Sequence, residues 1–193
     1  FLMGVPVGMT SSINKSVNAG SNFFDVYNSS VDNPGPGTGE RCDLAVNRRN
    51  DHVYFTSWAS ANPDGGVARS LDLGVTWTST TPTSKRPVKT AFDSGNNIYI
   101  SLVTTGDVLN DKVGAGDTNT YAEILKSTNN GSSWTLTGGP VNTAALSNKL
   151  GALAIDTADR IYHVGSLKGA DGKWKIAIRS SSDAGVSFGS ASY

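Results

Sequence analysis

The sequence predicts an all-β chain assembled from a repeated strand–turn–strand unit, and three observations carry that prediction. First, Ser70-Leu71-Asp72-Leu73-Gly74-Val75-Thr76-Trp77 reads Ser-x-Asp-x-Gly-x-x-Trp. The frame returns at Ser127, Asn129, Gly131 and Trp134, and again at Ser181, Asp183, Gly185 and Phe188. A weaker copy opens the chain with Ser16, Asn18, Gly20 and Phe23. Second, the opening serines are separated by 54, 57 and 54 residues. A period that regular, and of that size, is the mark of a repeat architecture. Third, each box sits between short apolar runs, at 66–69, 122–126 and 175–179 on the incoming side, which read as strands of a hairpin.

Each residue type in the box has a structural reason to be there. The Asp or Asn side chain accepts hydrogen bonds from backbone N–H groups further round the turn. The Gly takes a positive φ that a side chain resists. The Trp or Phe begins the outgoing strand and supplies a large ring to bury. The box Asp therefore reads as a turn staple, not as a catalyst.

In chain order, 1–7 and 9–15 form two strands, the weak box follows, and 24–27 is the outgoing strand, so the first unit lacks its first strand. Residues 28–40 include Pro34-Gly35-Pro36-Gly37-Thr38-Gly39, but no helix pattern follows, so this is a connecting loop and not a phosphate cradle. A strand at 43–47, a turn and a strand at 52–58 open the second unit. The same apolar, Asp or Asn, turn, apolar-Tyr pattern recurs at 90–101 and 153–164. Runs such as Ile98, Tyr99, Ile100, Leu102 and Val103 are apolar on both strand faces, as in a sheet covered on both sides. The second and third strands of each unit are joined by 59–65, 104–121 and 166–173. The long 104–121 insertion is of a length that is often functional or mobile. Only 138–148 has room for a helical turn. The whole of 1–193 reads as one repeat region, divided at 1–27, 43–80, 88–137 and 150–193.

The four boxes resemble Asp-box repeats, also called bacterial neuraminidase (BNR) repeats. That family includes sialidases, other glycoside hydrolases, sortilin-type receptors and photosystem assembly factors. The resemblance implies a β-propeller of four-stranded antiparallel blades in which the box joins the third and fourth strands, on the face away from the ligand. About three and three-quarter blades are present. Such propellers have six or seven, so the remaining blades are expected from a longer parent chain or a neighbouring subunit. The same box serves enzymes and non-enzymes, so the resemblance speaks to fold far more than to function.

Composition narrows the function classes. Lys plus Arg and Asp plus Glu number 16 each, so the formal net charge is zero and there is no basic footprint for nucleic acid. Charged residues are only 17% and Gly numbers 22, a neutral polar balance that suits an extracellular or cell-surface protein. One cysteine, Cys42, allows no internal disulfide. No apolar run reaches the length of a membrane-spanning helix. The N-terminal 1–7 is apolar but has no basic leader, and does not read as an intact signal peptide.

Basic residues precede each complete first strand: Arg41, then Lys85 and Arg86, then Lys149. Side chains converging from such positions would bind carboxylates, as Arg does in bidentate fashion. Sialidases clamp their substrate's carboxylate with three arginines from different blades. The Arg-Ile-Pro signature of sialidases is absent here, however, and no Tyr and Glu nucleophile pair can be assigned. Trp58 and Trp174 lie near the loops joining strands two and three, where rings stack on sugars or pack between blades. Glycoside hydrolysis needs two carboxylates. Glu40, Asp43, Asp64, Asp107, Asp111, Asp117 and Asp171 are on the right side, and none stands out. His52 and His163 have no metal-ligand spacing. Asp107, Asp111 and Asp117 offer oxygens to Ca²⁺ without the spacing of a calcium loop, so no cofactor is assigned and calcium stays open. The sequence expectation is an Asp-box propeller that recognises carbohydrate or glycoprotein, with a glycoside hydrolase as the enzyme class if it is one. The alternative is a non-catalytic interaction or structural module of an extracellular assembly.

Overall fold

The computed structural model describes residues 2–7, 10–28, 41–59, 62–80, 86–103, 122–137, 146–168 and 173–189. Those residues form strands and turns in four antiparallel sheets. The first holds β1 (Leu2–Val7), β2 (Thr10–Lys15) and β3 (Phe24–Asn28). The second holds β4 (Arg41–Asn47), β5 (His52–Ala59), β6 (Asn62–Ser70) and β7 (Thr78–Thr80). The third holds β8 (Arg86–Phe92), β9 (Ile98–Val103), β10 (Ala122–Ser127) and β11 (Thr135–Thr137). The fourth holds β12 (Leu146–Ile155), β13 (Ile161–Lys168) and β14 (Trp174–Ser181). Strands are ordered as in sequence, so every sheet is a meander. The chain divides into two compact units, Phe1–Thr90 and Ala91–Tyr193.

The repeat seen in the sequence is a repeat of register. Val53 pairs with Ser70, Ile98 with Ser127 and Ile161 with Ser181. Each second strand thus starts opposite a box serine, and cross-strand pairs can be compared between sheets. Phe55–Ala68, Ile100–Leu125 and His163–Arg179 occupy one such position. The second strands are β-branched and aromatic, which favours a pleated, covered surface. From Val53 to Ser57, and from Ile98 to Leu102, every side chain is buried. Fully burying each large apolar side chain contributes about 1.5–3 kcal/mol.

Within each unit one sheet packs face to face on the next. In the first, Ile13 lies against Phe55 and Ala68, with Val26, Leu44 and Trp77 around them. In the second, Tyr99 and Ile124 lie against Leu153 and Ile161, with Ala91, Ile155 and Phe188 around them.

Three connections differ from the sequence expectation. The 59–65 segment is mostly strand: β6 begins at Asn62, which pairs with Ala59 across an irregularity between Ser57 and Ala59. The sequence expectation placed the connection between the second and third strands here, but glycine in a strand, as at Gly65-Gly66, marks a bulge or close approach as readily as a break. Similarly, Ser166, Leu167 and Lys168 pair with Ile176, Lys175 and Trp174, which narrows the 166–173 connection. In 138–148, Leu146, Ser147 and Asn148 belong to β12, and the rest of the proposed helical turn lies outside the described residues. The 104–121 insertion also lies outside them.

Candidate functional site

The two ends of each sheet are built differently. At one end lie the turns after the first and third strands. In the second sheet the Ser70 hydroxyl donates to Asp72 at 2.7 Å and accepts the Gly74 N–H at 2.7 Å. Asp72 accepts the N–H groups of Val75 and Thr76 at 3.1 and 2.8 Å, and the Thr76 hydroxyl at 2.6 Å. Ser181 and Asp183 repeat this pattern with Gly185 and Ser187. At Asn129 the carbonyl oxygen still accepts from Ser133 N–H, at 2.9 Å, while its amide donates to the Ser133 hydroxyl at 2.8 Å. The weak first copy is a complete turn as well: Gly20 N–H donates to Ser16 and Asn22 N–H to Asn18.

Those bonds hold the Asp72 carboxyl well below the usual carboxylate range, the Thr76 hydroxyl foremost among them. Asp183 is lowered to about 2, chiefly by the Ser181 and Ser187 hydroxyls. A carboxylate so fully engaged stays charged and does not shuttle protons at neutral pH. The staple reading of the box therefore has a geometric basis. The box glycines have φ of 91, 84, 78 and 86°. The residue before each also has a positive φ: Ala19, Leu73, Asn130 and Ala184 lie at 56–58°. Only Asn130 has a side chain that favours this conformation.

The carbonyls exposed by that backbone serve as fasteners between sheets of the same unit. Lys15 Nζ donates to Leu73 O at 2.7 Å, and Lys126 Nζ to Ala184 O at 3.3 Å. Both pairs span 58 residues. The Thr137 hydroxyl donates to Gly185 O at 2.6 Å, and both Ser94 donors reach the Asp159 carboxylate. The second sequence motif is explained at this same end. The Tyr99 hydroxyl donates to Asp93 at 3.0 Å, and the Tyr162 hydroxyl to Asp156 at 3.1 Å. The Asp closing the first strand thereby anchors the Tyr of the second.

Between the ends, the fourth sheet carries a buried polar pair. Arg179 Nε and Nη2 lie 3.2 and 3.1 Å from His163 Nδ1, and the guanidinium stacks 4.3 Å from the Phe188 ring centre. Burial, helped by Arg179, pushes the His163 pKa down to about 3, and burial lowers Arg179 to about 10. His163 is thus neutral and accepts at Nδ1. Sequence reasoning left His163 without a role. Its signal was positional: His163 and Arg179 replace the apolar pairs Phe55–Ala68 and Ile100–Leu125, and Phe188 replaces the box Trp.

The opposite end holds the strand starts. Arg41 opens β4 and pairs in register with Trp58, near the end of β5. Arg86 opens β8. A clasp ties these two strands: Asp43 accepts Lys89 Nζ at 2.7 Å and the Thr90 N–H at 2.8 Å. Asp43 lies two residues after Arg41 and Lys89 three after Arg86, so the clasp joins the two strands that these arginines begin. Asp43, one of the carboxylates considered for catalysis, is engaged in this clasp. Asp64 lies in β6, and Glu40, Asp107, Asp111, Asp117 and Asp171 lie outside the described residues. In the second unit, Lys149 falls in β12 where pairing with β13 is irregular between Ser147 and Ala152, and Trp174 opens β14 opposite Lys168. Lys85 lies outside the described residues. Among the described residues, no three His, Cys, Asp or Glu side chains come together to hold a metal ion.

No family model matches the chain, and no curated protein matches it. Solved structures do. A protein of unknown function from Dyadobacter fermentans aligns with 98% of this chain and 59% of its own, at 15% identity and a TM-score of 0.66. A GH74 xyloglucanase from Xanthomonas campestris aligns with 97% of this chain and 27% of its own, at 14% identity and a TM-score of 0.65. A Hadza microbial sialidase aligns with 95% of this chain and 45% of its own, at 12% identity and a TM-score of 0.60. This chain thus spans about a quarter to three-fifths of the lengths of those proteins, and shares their fold.

Proposed function

We propose that this chain is part of an Asp-box β-propeller, exported to the cell surface or beyond, and that it recognises acidic carbohydrate at the end where its first strands begin. The observation that carries the reading is the Asp43–Lys89–Thr90 clasp, which makes Arg41 and Arg86 the starts of two adjoining strands, with Trp58 paired to Arg41. Guanidinium groups suit a sugar carboxylate, and an indole face suits a pyranose ring. In the clasp the Lys89 ammonium balances the charge of Asp43, which lessens its opposition to an anionic ligand. The xyloglucanase and sialidase with the same fold act on carbohydrates by name, which supports the substrate class. If the complete protein is an enzyme, the class is glycoside hydrolase.

The test is binding to uronate- and sialate-containing oligosaccharides by calorimetry. Arg41→Ala or Arg86→Ala should weaken binding by about tenfold or more, the loss of one charge-assisted pair. Unchanged affinity in both variants, or no binding by the wild type, would sink the acidic-ligand reading.

A further inference from the structure

In the first unit, three polar side chains stand together at repeat positions where the fourth sheet carries hydrocarbon. Thr56 lies three residues after Val53 and Val164 three after Ile161, so the two occupy the same place in the repeat. The first-strand partner of Thr56 is Asp43, and that of Val164 is Ala152. Thr90 lies three residues before Asp93, where the first strand ends; three before Asn47 and Asp156 stand Leu44 and Leu153. The fold therefore accepts Ala, Val and Leu at these three places, and the polar set has a reason of its own.

The set converges on the Asp43 carboxylate. Directly paired residues on antiparallel strands share a face, with Cβ atoms about 4.5–5.5 Å apart, so Thr56 stands beside Asp43. On its other side the row continues with Val67, whose side chain offers no polar group. Thr90 is fixed to Asp43 by its own N–H at 2.8 Å. Both threonines are buried, at 0% and 5% exposure, and neither hydroxyl has a hydrogen-bond partner among the described residues. A buried hydroxyl left unpaired loses its hydration with nothing in return. Asp43 has acceptor capacity to spare: an ionised carboxylate offers about four sites, and Lys89 Nζ and the Thr90 N–H take one each.

We propose that Asp43, Thr56 and Thr90 form a binding site for one buried water molecule, which accepts from the two hydroxyls and donates to the carboxylate. A buried water typically makes about three hydrogen bonds, and this site supplies them. Charge balance selects water over a metal cation. The Lys89 ammonium, 2.7 Å from Asp43, already balances the carboxylate and would repel a second cation. The water joins β5 to the clasp between β4 and β8, so the strands that Arg41 and Arg86 begin are held by a network drawn from three strands. This inference rests on buried polar groups and is independent of the proposed ligand.

The experiment is urea unfolding of the wild type, Thr56→Val, Thr90→Val and the double variant. Valine keeps the shape and the β-branched preference for a strand, so the hydroxyl alone is removed. Each single variant leaves the water and the other hydroxyl short of a partner, and should raise the unfolding equilibrium constant about tenfold. The double variant should be no worse than about tenfold, because its second change removes a group whose bond was already weakened. Single variants as stable as the wild type, or more so, would overturn the proposal, since the hydroxyls would then be merely unpaired. A double variant near a hundredfold, the product of two independent bonds, would overturn it too. A wild-type unfolding constant that differs between sodium, potassium and choline chloride at equal ionic strength, with no such difference in the double variant, would overturn it in favour of a bound cation. Oxygen-17 relaxation dispersion of the folded proteins gives a second reading. The wild type should hold one more long-lived water than the double variant, and equal numbers would contradict the site.

Discussion

The two ends of these sheets use the same residue types for different ends. At the turn end, Asp72 and Asp183 are held by hydroxyl and backbone donors of their own turn, and carbonyls such as Leu73 O and Ala184 O receive a lysine from the neighbouring sheet. At the strand-start end, a single aspartate, Asp43, fastens two strands, while Arg41 and Arg86 head them. Acidic residues at the turn end are therefore structural parts, whereas in the proposed function Arg41 and Arg86 at the strand-start end are the residues that meet a ligand. The contrast teaches that charge near a repeat motif says little until its partners are counted.

The contrast can be broken most severely at Gly185. A Cβ there would sit 2.9 Å from Thr137 Oγ1, on a backbone with φ of 86°. Gly185→Ala should cost about 2–4 kcal/mol, from left-handed strain and overpacking together, read by urea unfolding. A loss below the error of the measurement would show that the turn end is softer than described.

Acid should loosen the same end. The Asp183 pKa falls from an ordinary 3.8 to about 2 on folding, so its stabilisation is fully present above 3.8 and is lost as pH drops toward 2. Asp72 shifts in the same direction. The melting temperature should hold from pH 7 to about 5 and then drop. Asp183→Asn, which copies Asn129, should make that drop shallower. An identical acid profile would mean that the turn carboxylates are not the groups responsible.

Smaller effects sharpen the picture. Lys126→Met keeps the aliphatic stem but removes the donor to Ala184 O, and should cost about 0.5–1.5 kcal/mol. Ala184→Gly should stabilise by a few tenths to about 1 kcal/mol, since Gly occupies the left-handed region without a Cβ penalty. Both are checked by chemical unfolding, and a destabilised Ala184→Gly would contradict the strain argument.

The sequence made the fold legible wherever chemistry repeats locally. Ser, Asp and Gly at fixed offsets specify a turn whose bonds run within eight residues, so the box could be read from residue spacing alone. The Asp93–Tyr99 and Asp156–Tyr162 anchors were visible as a pattern, but their cause was not, because it needs the turn to be closed first. The lysine fasteners were not legible. Their acceptor is a backbone carbonyl 58 residues away, whose exposure depends on a φ that Leu73 and Ala184 do not advertise. Nor was the His163–Arg179 pair, since it forms only once register sets β13 against β14. At the candidate site, the pairing of Arg41 with Trp58 follows from β4–β5 register, and the role of Asp43 follows from a contact between strands far apart in sequence.

The most direct test of the division between the ends is calorimetric titration of an acidic oligosaccharide into three proteins at a temperature where all are folded. They are the wild type, the Arg41→Ala/Arg86→Ala double variant and Lys126→Met. The account predicts that the double variant melts like the wild type but loses binding, while Lys126→Met melts lower and binds unchanged. Binding that survives in the double variant, or falls with Lys126→Met, would contradict it.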